Sequence, residues 1–295
     1  MTEALGLRRW KLAFGALIVA AIAIWDIGLP GEHAASTGSV APSTRSSTAT
    51  ASPLAPPAIP GVIQPQGKPE FAATFSGSKL DTSVWDTCYP WLSQKGCKNF
   101  GNNEESEWYL PSQVKVSGGM LHLVAQRKVT EGTSSTGTPK QYDCRSGMIT
   151  SYPGFRFEYG YVQVVAKIPS SPGLWPALWL DPASLGWPPE MDMVESWGHG
   201  VFAGSFFHPY PKGTKSDRGL ITPPSAATGW HIFALSWTKT QMTWLMDGKV
   251  TLTVRTKVPH QRMFFIADLA SYLPVGAANQ CKGQLLIRSV DVWKA

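Results

Sequence analysis

Short segments of alternating apolar and polar residues, separated by turn dipeptides, recur from residue 71 to the C-terminus. They restrict the fold more than any other feature. Met242–Met246 and Val250–Val254 flank Asp247-Gly248, a strong hairpin signal because both central positions of the matching turn need positive φ. Val114–Val116 and Met120–Val124 flank Ser117-Gly118-Gly119 in the same manner. Phe155, Phe157, Tyr159 and Tyr161 start a period of two that runs through Ile168, and Leu285–Trp293 gives a last strand. Helical periodicity is nearly absent here. A 43% hydrophobic content excludes a wholly disordered chain, while 16% charged residues with 28 Gly and 24 Pro argue against coiled coils and helical bundles. The expectation is a single all-β sandwich of jelly-roll style.

Two segments precede it. Arg8, Arg9 and Lys11 stand before an uncharged run from Leu12 to Trp25, the pattern of an export signal or membrane anchor within residues 1–33. No A-x-A site follows, so a cleaved signal and a retained anchor both stay open. From Ala34 to Pro60, 22 of 27 residues are Ala, Ser, Thr or Pro, so a flexible linker is expected over 34–66 and the domain over 67–295. The folded part should be secreted or anchored to the outer face of the cytoplasmic membrane.

The net charge is +6, with basic residues scattered and no Lys/Arg run of the kind that tracks phosphates. No nucleic-acid partner is expected. Thirteen Trp exceed the needs of packing and supply faces that stack on sugars. Cys88, Cys97, Cys144 and Cys281 are an even set in an exported chain and suggest two disulfides. Cys88 with Cys97 would close a short loop, leaving Cys144 with Cys281. No Cys/His spacing typical of zinc is present.

The chemistry concentrates in Trp187-Pro-Pro-Glu-Met-Asp-Met-Val-Glu-Ser-Trp197. Glu190 and Asp192 share one face of a strand, and Glu195 would point to the other. One extra residue at Met193-Val194, a β-bulge, would return Glu195 to the first face. Three converging acids raise each other's pKa and cost stability, which a solvated edge with interleaved Lys or Arg would avoid. Here Met, Met and Val intervene, so a catalytic pair of carboxylates is the better reading, as glycoside hydrolysis requires.

Glu190-Met-Asp-Met-Val-Glu195 resembles the E-x-D-x-x-E signature of glycoside hydrolase family 16 in its bulged, laminarinase-like form. Gly173-Leu-Trp-Pro-Ala-Leu-Trp-Leu180 is similar to the family's G-L-W-P-A-F-W-L strand, and Asn103 to Tyr109, Ser146-Gly147, His208 and Asp247-Gly248 follow in the family's order. The resemblance implies a concanavalin A-like β-jelly-roll with a long cleft. It implies endo-acting, retaining cleavage of a β-linked polysaccharide, foremost β-1,3-glucan, by a monomer. An exopolysaccharide or cell-envelope depolymerase or transglycosylase and a lectin-like binder are the alternatives. It assigns Glu190 as nucleophile, Asp192 as its electrostatic assistant and Glu195 as acid/base. Asn103, Trp175, Trp179, Trp197 and His208 fall to substrate binding.

The chain departs from the family in places. Met148 replaces an Arg after Ser146-Gly147, and Asp268 stands where Asn is usual. Arg288 and Ala73-Thr74 replace acids that often help bind a structural calcium. No metal or other cofactor is expected.

Overall fold

The computed structural model describes residues 59–93, 105–134, 137–196, 203–209, 217–221, 229–272 and 280–295. All lie in the larger of two compact units, Leu54–Ala295. The expected signal or anchor, most of the linker, and Cys97, Asn103 and Trp197 fall outside the described residues. In chain order the first strands are β1 (Phe71–Thr74), β2 (Glu107–Tyr109), β3 (Val114–Ser117), β4 (Met120–Thr133), β5 (Pro139–Ser146) and β6 (Met148–Thr150). Then come β7 (Gly160–Lys167), β8 (Leu174–Pro182), β9 (Glu190–Glu195), β10 (Ala203–His208) and β11 (Asp217–Ile221). The last are β12 (His231–Trp237), β13 (Met242–Met246), β14 (Lys249–Val254), β15 (Met263–Ser271) and β16 (Lys282–Trp293).

They form two sheets. A ten-stranded sheet runs β14-β13-β12-β7-β16-β4-β5-β2, with β1 on β16 and β3 on β4; the other runs β11-β10-β9-β8-β15-β6. Strand side chains alternate between faces. Leu121 and Leu123, Val162 and Val164, and Leu285 and Ile287 thus meet Leu178 and Leu180, Phe265 and Leu269 in one apolar core. The hairpin readings agree with the structure. Asp247 and Gly248 take φ of 49° and 75°, as a type I′ turn requires, and Gly118 and Gly119 take 59° and 70°.

Two expectations need correction. The period-two run from Phe155 does not form a continuous strand, because β7 starts only at Gly160. Tyr159 and Gly160 both have positive φ (58° and 145°), and a Cβ at residue 160 would lie 2.5 Å from the Trp293 carbonyl oxygen. The aromatic alternation before that break serves packing: Phe71, Phe155 and Phe157 stack in series. The linker, too, ends earlier than residue 66. Ile59, Val62 and Ile63 pack against Tyr161, Ala234 and Leu245 on the outer face of the ten-stranded sheet. The Ile63 amide donates to Ser236 Oγ at 2.8 Å. An Ala/Pro-rich composition concealed three aliphatic anchors.

Cys144 and Cys281 form a disulfide with their Cα atoms 5.9 Å apart. It ties β5 to the approach of β16 across 137 residues of sequence. Cys88 is buried among Tyr89, Tyr109, Met148, Phe264 and Ile266.

Candidate active site

The acidic strand β9 lies between β8 and β10. Against β8, Leu180 pairs with Met191 and Trp179 with Asp192, then Leu178 with Val194 and Ala177 with Glu195. Met193 is therefore the extra residue, and the register against β10 shifts at the same point. Met193 and Val194 both enter the core beside Met191. The following residue, Glu195, returns to the outer face with Glu190 and Asp192. The bulge read from the spacing of the three acids is present, and apolar Met and Val hold it in place.

His208 lies opposite Glu190 on β10. Its Nε2 is 3.6 Å from Glu190 Oε1 and 3.3 Å from Asp192 Oδ2. The Trp187 indole donates to Glu190 Oε2 at 2.9 Å, and the Trp175 indole donates to Glu195 Oε1 at 2.8 Å. Each outer acid is thus aimed by a tryptophan N–H. Among the described residues no hydrogen bond joins Asp192 to Glu190, so His208 rather than a direct contact links them.

Burial dominates the electrostatics. It raises the Glu190 carboxyl above the ordinary range, against the opposing pull of His208 and the Trp187 hydrogen bond. Asp192 is pushed much further, by burial first and then by the negative charges of Glu190, Asp268 and Asp181. Burial thus favours the neutral form of both acids, and of Asp192 most, while His208 and Trp187 favour the charged form of Glu190. Donor atoms of Glu190, Asp192 and His208 lie within 4.8 Å of one another. We read them as an acid–base cluster, since the imidazole already stands at ion-pair distance from both acids.

Residues 103–277 match the family model of glycosyl hydrolases family 16. The chain belongs to this family. It is 29% identical over 199 residues to endo-1,3-1,4-beta-glycanase ExsH of Rhizobium meliloti, across 64% of this chain and 42% of that protein. The chain thus spans less than half the length of that relative. In structure it is similar to the laminarinase catalytic domain of Thermotoga maritima, with a TM-score of 0.65 at 24% identity, covering 77% of this chain and 98% of that one. Endo-beta-1,3-glucanase of Pyrococcus furiosus superposes with a TM-score of 0.67 at 23% identity, covering 80% and 98%. These likenesses establish the jelly-roll fold.

In this family 16 chain the acids border an aromatic floor. Trp175 and Trp179 emerge on the same face of β8 as Ala177 and are half-buried, while Leu174, Leu178 and Leu180 point to the core. The Trp179 indole donates to Asp268 Oδ1 at 2.7 Å, and the Tyr109 hydroxyl donates to Asp268 Oδ2 at 3.1 Å. Asp268, the residue that replaces Asn, is thus a buried acceptor that orients Trp179. Burial pushes its carboxyl up to about 7, opposed by those two hydrogen bonds. Met148 packs with Phe264 and Ile266 in a second buried apolar cluster, apart from the main core. Arg288, at the position of a usual calcium ligand, lies with its guanidinium 4.0 Å from the Trp230 ring centroid.

Sequence reasoning missed three contributors. Trp187, 44% exposed, reaches Glu190 through its indole N–H. Asp181 lies one register step beyond the Leu180–Met191 pair, across from Glu190, and is only 3% exposed. Burial, and then the Glu190 charge, push its carboxyl up to about 8. Glu107 is fully buried, with Oε2 accepting the Ser271 amide at 2.7 Å. Asp181 and Trp187 lie close to the acidic motif in sequence. An acid among apolar residues two places after Trp179 was the available signal.

Proposed function

We propose that the chain is an endo-acting, retaining β-glucan hydrolase. The observation that carries this reading is the bulge in β9, which sets Glu190, Asp192 and Glu195 on one aromatic-lined face while Met191, Met193 and Val194 fill the core. Two carboxylates with separate partners suit double displacement. Glu190 attacks the anomeric carbon while Glu195 gives its proton to the departing glycosidic oxygen, and the bond between that carbon and oxygen breaks. Glu195 then takes a proton from water, which attacks the same carbon and releases Glu190 with the configuration retained. Burial pushes Asp192 towards its neutral form, which limits the negative charge beside Glu190. Trp175 holds Glu195 in place, and Trp179 and Trp187 supply faces for sugar rings.

β-1,3-Glucan and mixed β-1,3-1,4-glucan are the substrates we infer, supported by the names of the Rhizobium relative and of the structural neighbours. A non-catalytic lectin role is disfavoured, because binding alone gives no reason to gather three acids at one point. Digestion of a panel of β-glucans followed by product sizing tests the reading: internal cleavage yields a ladder of short oligomers. Products longer than the substrate would instead favour the transglycosylase alternative, and no change in size would favour the lectin.

We also propose that the domain works outside the cytoplasmic membrane, as a monomer held by its N-terminal segment or released from it. Arg8, Arg9 and Lys11 before the apolar run support export, and the Cys144–Cys281 bridge suits an oxidising compartment. N-terminal sequencing of the chain from fractionated cells separates the two forms.

A further inference from the structure

The exposed large apolar side chains of the described residues divide by sheet. Val129, Ile232 and Val250 are aliphatic and lie on β4, β12 and β14 of the ten-stranded sheet. The exposed aromatics are Trp91, Trp187 and Tyr272, and each leads to the cleft. Trp187 donates to Glu190, and the Tyr272 ring lies 6.0 Å from that of Trp175. Trp91, 37% exposed, reaches the cleft floor through a second ring.

The sheet itself leads there. Asp192 pairs with Trp179, Trp179 with Ile266 and Ile266 with Thr150, so one cross-strand row runs from the acids to the edge strand β6. Beyond β6, Asp86 bridges Thr150 through two backbone hydrogen bonds of 3.0 and 2.8 Å. From that bridge the chain folds back over the sheet, because Tyr89 packs with Met148, Phe264 and Ile266. Those three share the outer face with Trp179, since Ile149, Phe265 and Ala267 between them fill the core. The buried Tyr89 ring stands 6.5 Å from Trp179 and edge-on to Tyr109 at 5.7 Å. Trp91, on the short helical turn Pro90–Ser93, stacks on Tyr89 at 4.6 Å with the planes 15° apart. A buried tyrosine thus fixes an exposed indole two ring contacts from the cleft floor.

We propose, on the reading of the chain as a β-glucan hydrolase, that Trp91 is a distal sugar platform which extends the cleft beyond Trp179 and makes the enzyme favour long glucan chains. A β-linked glucosyl ring keeps its hydroxyls equatorial and presents axial C–H groups on its faces, which suits an indole. The Trp91 face turned away from Tyr89 takes one such ring, and Trp179 takes another nearer the acids. Tyr89 holds the platform in place before the glycan arrives, so little side-chain freedom is lost on binding. The contribution of Trp91 is therefore a dependence on length. An oligomer that fills only the positions beside Glu190 and Glu195 does not extend to it, whereas a longer chain does.

Kinetics of the full chain on β-1,3-gluco-oligosaccharides of increasing length test the proposal. The ratio of kcat/KM on long to short oligomers should fall about twofold to tenfold in Trp91→Ala, the range that an aromatic contact supplies beyond its area. Trp91→Phe keeps a ring and should recover most of that ratio. An unchanged ratio in Trp91→Ala overturns the platform, and so does a loss equal at every length, which marks a structural role. The hydrolase reading fails separately, if the wild type cleaves none of these oligomers. Affinity electrophoresis in gels containing laminarin then decides on the platform alone. Retardation of the wild type that Trp91→Ala weakens supports it, and equal or absent retardation overturns it.

Discussion

The indole N–H of Trp175 donates to Oε1 of Glu195 at 2.8 Å, joining β8 to the acid at the far end of the bulge. Glu195 follows the one irregular step in β9, where a side chain is least constrained by the ladder, so a hydrogen bond from a neighbouring strand aims it. Trp175→Phe keeps the ring and removes the donor. A hydrogen bond to a charged group contributes about 1.5–3 kcal/mol, so kcat on β-glucan should fall roughly tenfold to a hundredfold. Steady-state kinetics beside a thermal melt checks it, and a fall in kcat without loss of fold is the expected pattern.

Glu195→Gln should remove proton donation but leave Glu190 able to attack. Aryl β-glycosides with good leaving groups need little protonation, so the variant should cleave them far better than it cleaves the glucan itself. Equal losses on both substrates would count against the acid role.

Stability should fall as pH rises across the neutral range. Asp268 and Asp181 are raised from 3.8 to about 7 and about 8. The native state therefore keeps protons that the unfolded chain has released between about pH 4 and 8, and stability declines through that window. Asp181→Asn keeps the shape and removes the titration. It should raise the melting temperature at pH 8 and change little at pH 4.5, by roughly a few kcal/mol of relieved penalty at most. A wild-type melting temperature that is flat from pH 5 to 8 would show that Asp181 is not held neutral.

The bridge between Cys144 and Cys281 closes a span of 137 residues. Cys281→Ser should cost about 2–5 kcal/mol in chemical denaturation. The cleft acids lie on other strands, so the folded variant should keep its activity below its melting point.

The parts of this site legible in sequence are the local ones. The bulge follows from Glu190, Asp192 and Glu195 with their apolar spacers, and the type I′ turn follows from Asp247-Gly248, because a few consecutive residues determine each. What could not be read depends on partners distant in the chain. Asp268 orients Trp179 across 89 residues, and Tyr109 reaches Asp268 across 159. The aromatic run at Phe155 misled for a related reason: alternation marks burial on a face, and here it is the approach of Trp293 to Gly160 that determines where the strand begins.

The role of Glu190 as nucleophile is open to direct measurement by trapping. A 2-deoxy-2-fluoro β-glucosyl or laminaribiosyl fluoride slows breakdown of the covalent intermediate, and peptide mass spectrometry then locates the label. The expected result is inactivation with one sugar on the peptide that holds Glu190, and its absence from Glu190→Gln. A label on Asp192 or Glu195, or full inactivation with Glu190 unmodified, would contradict the assignment of Glu190 as nucleophile.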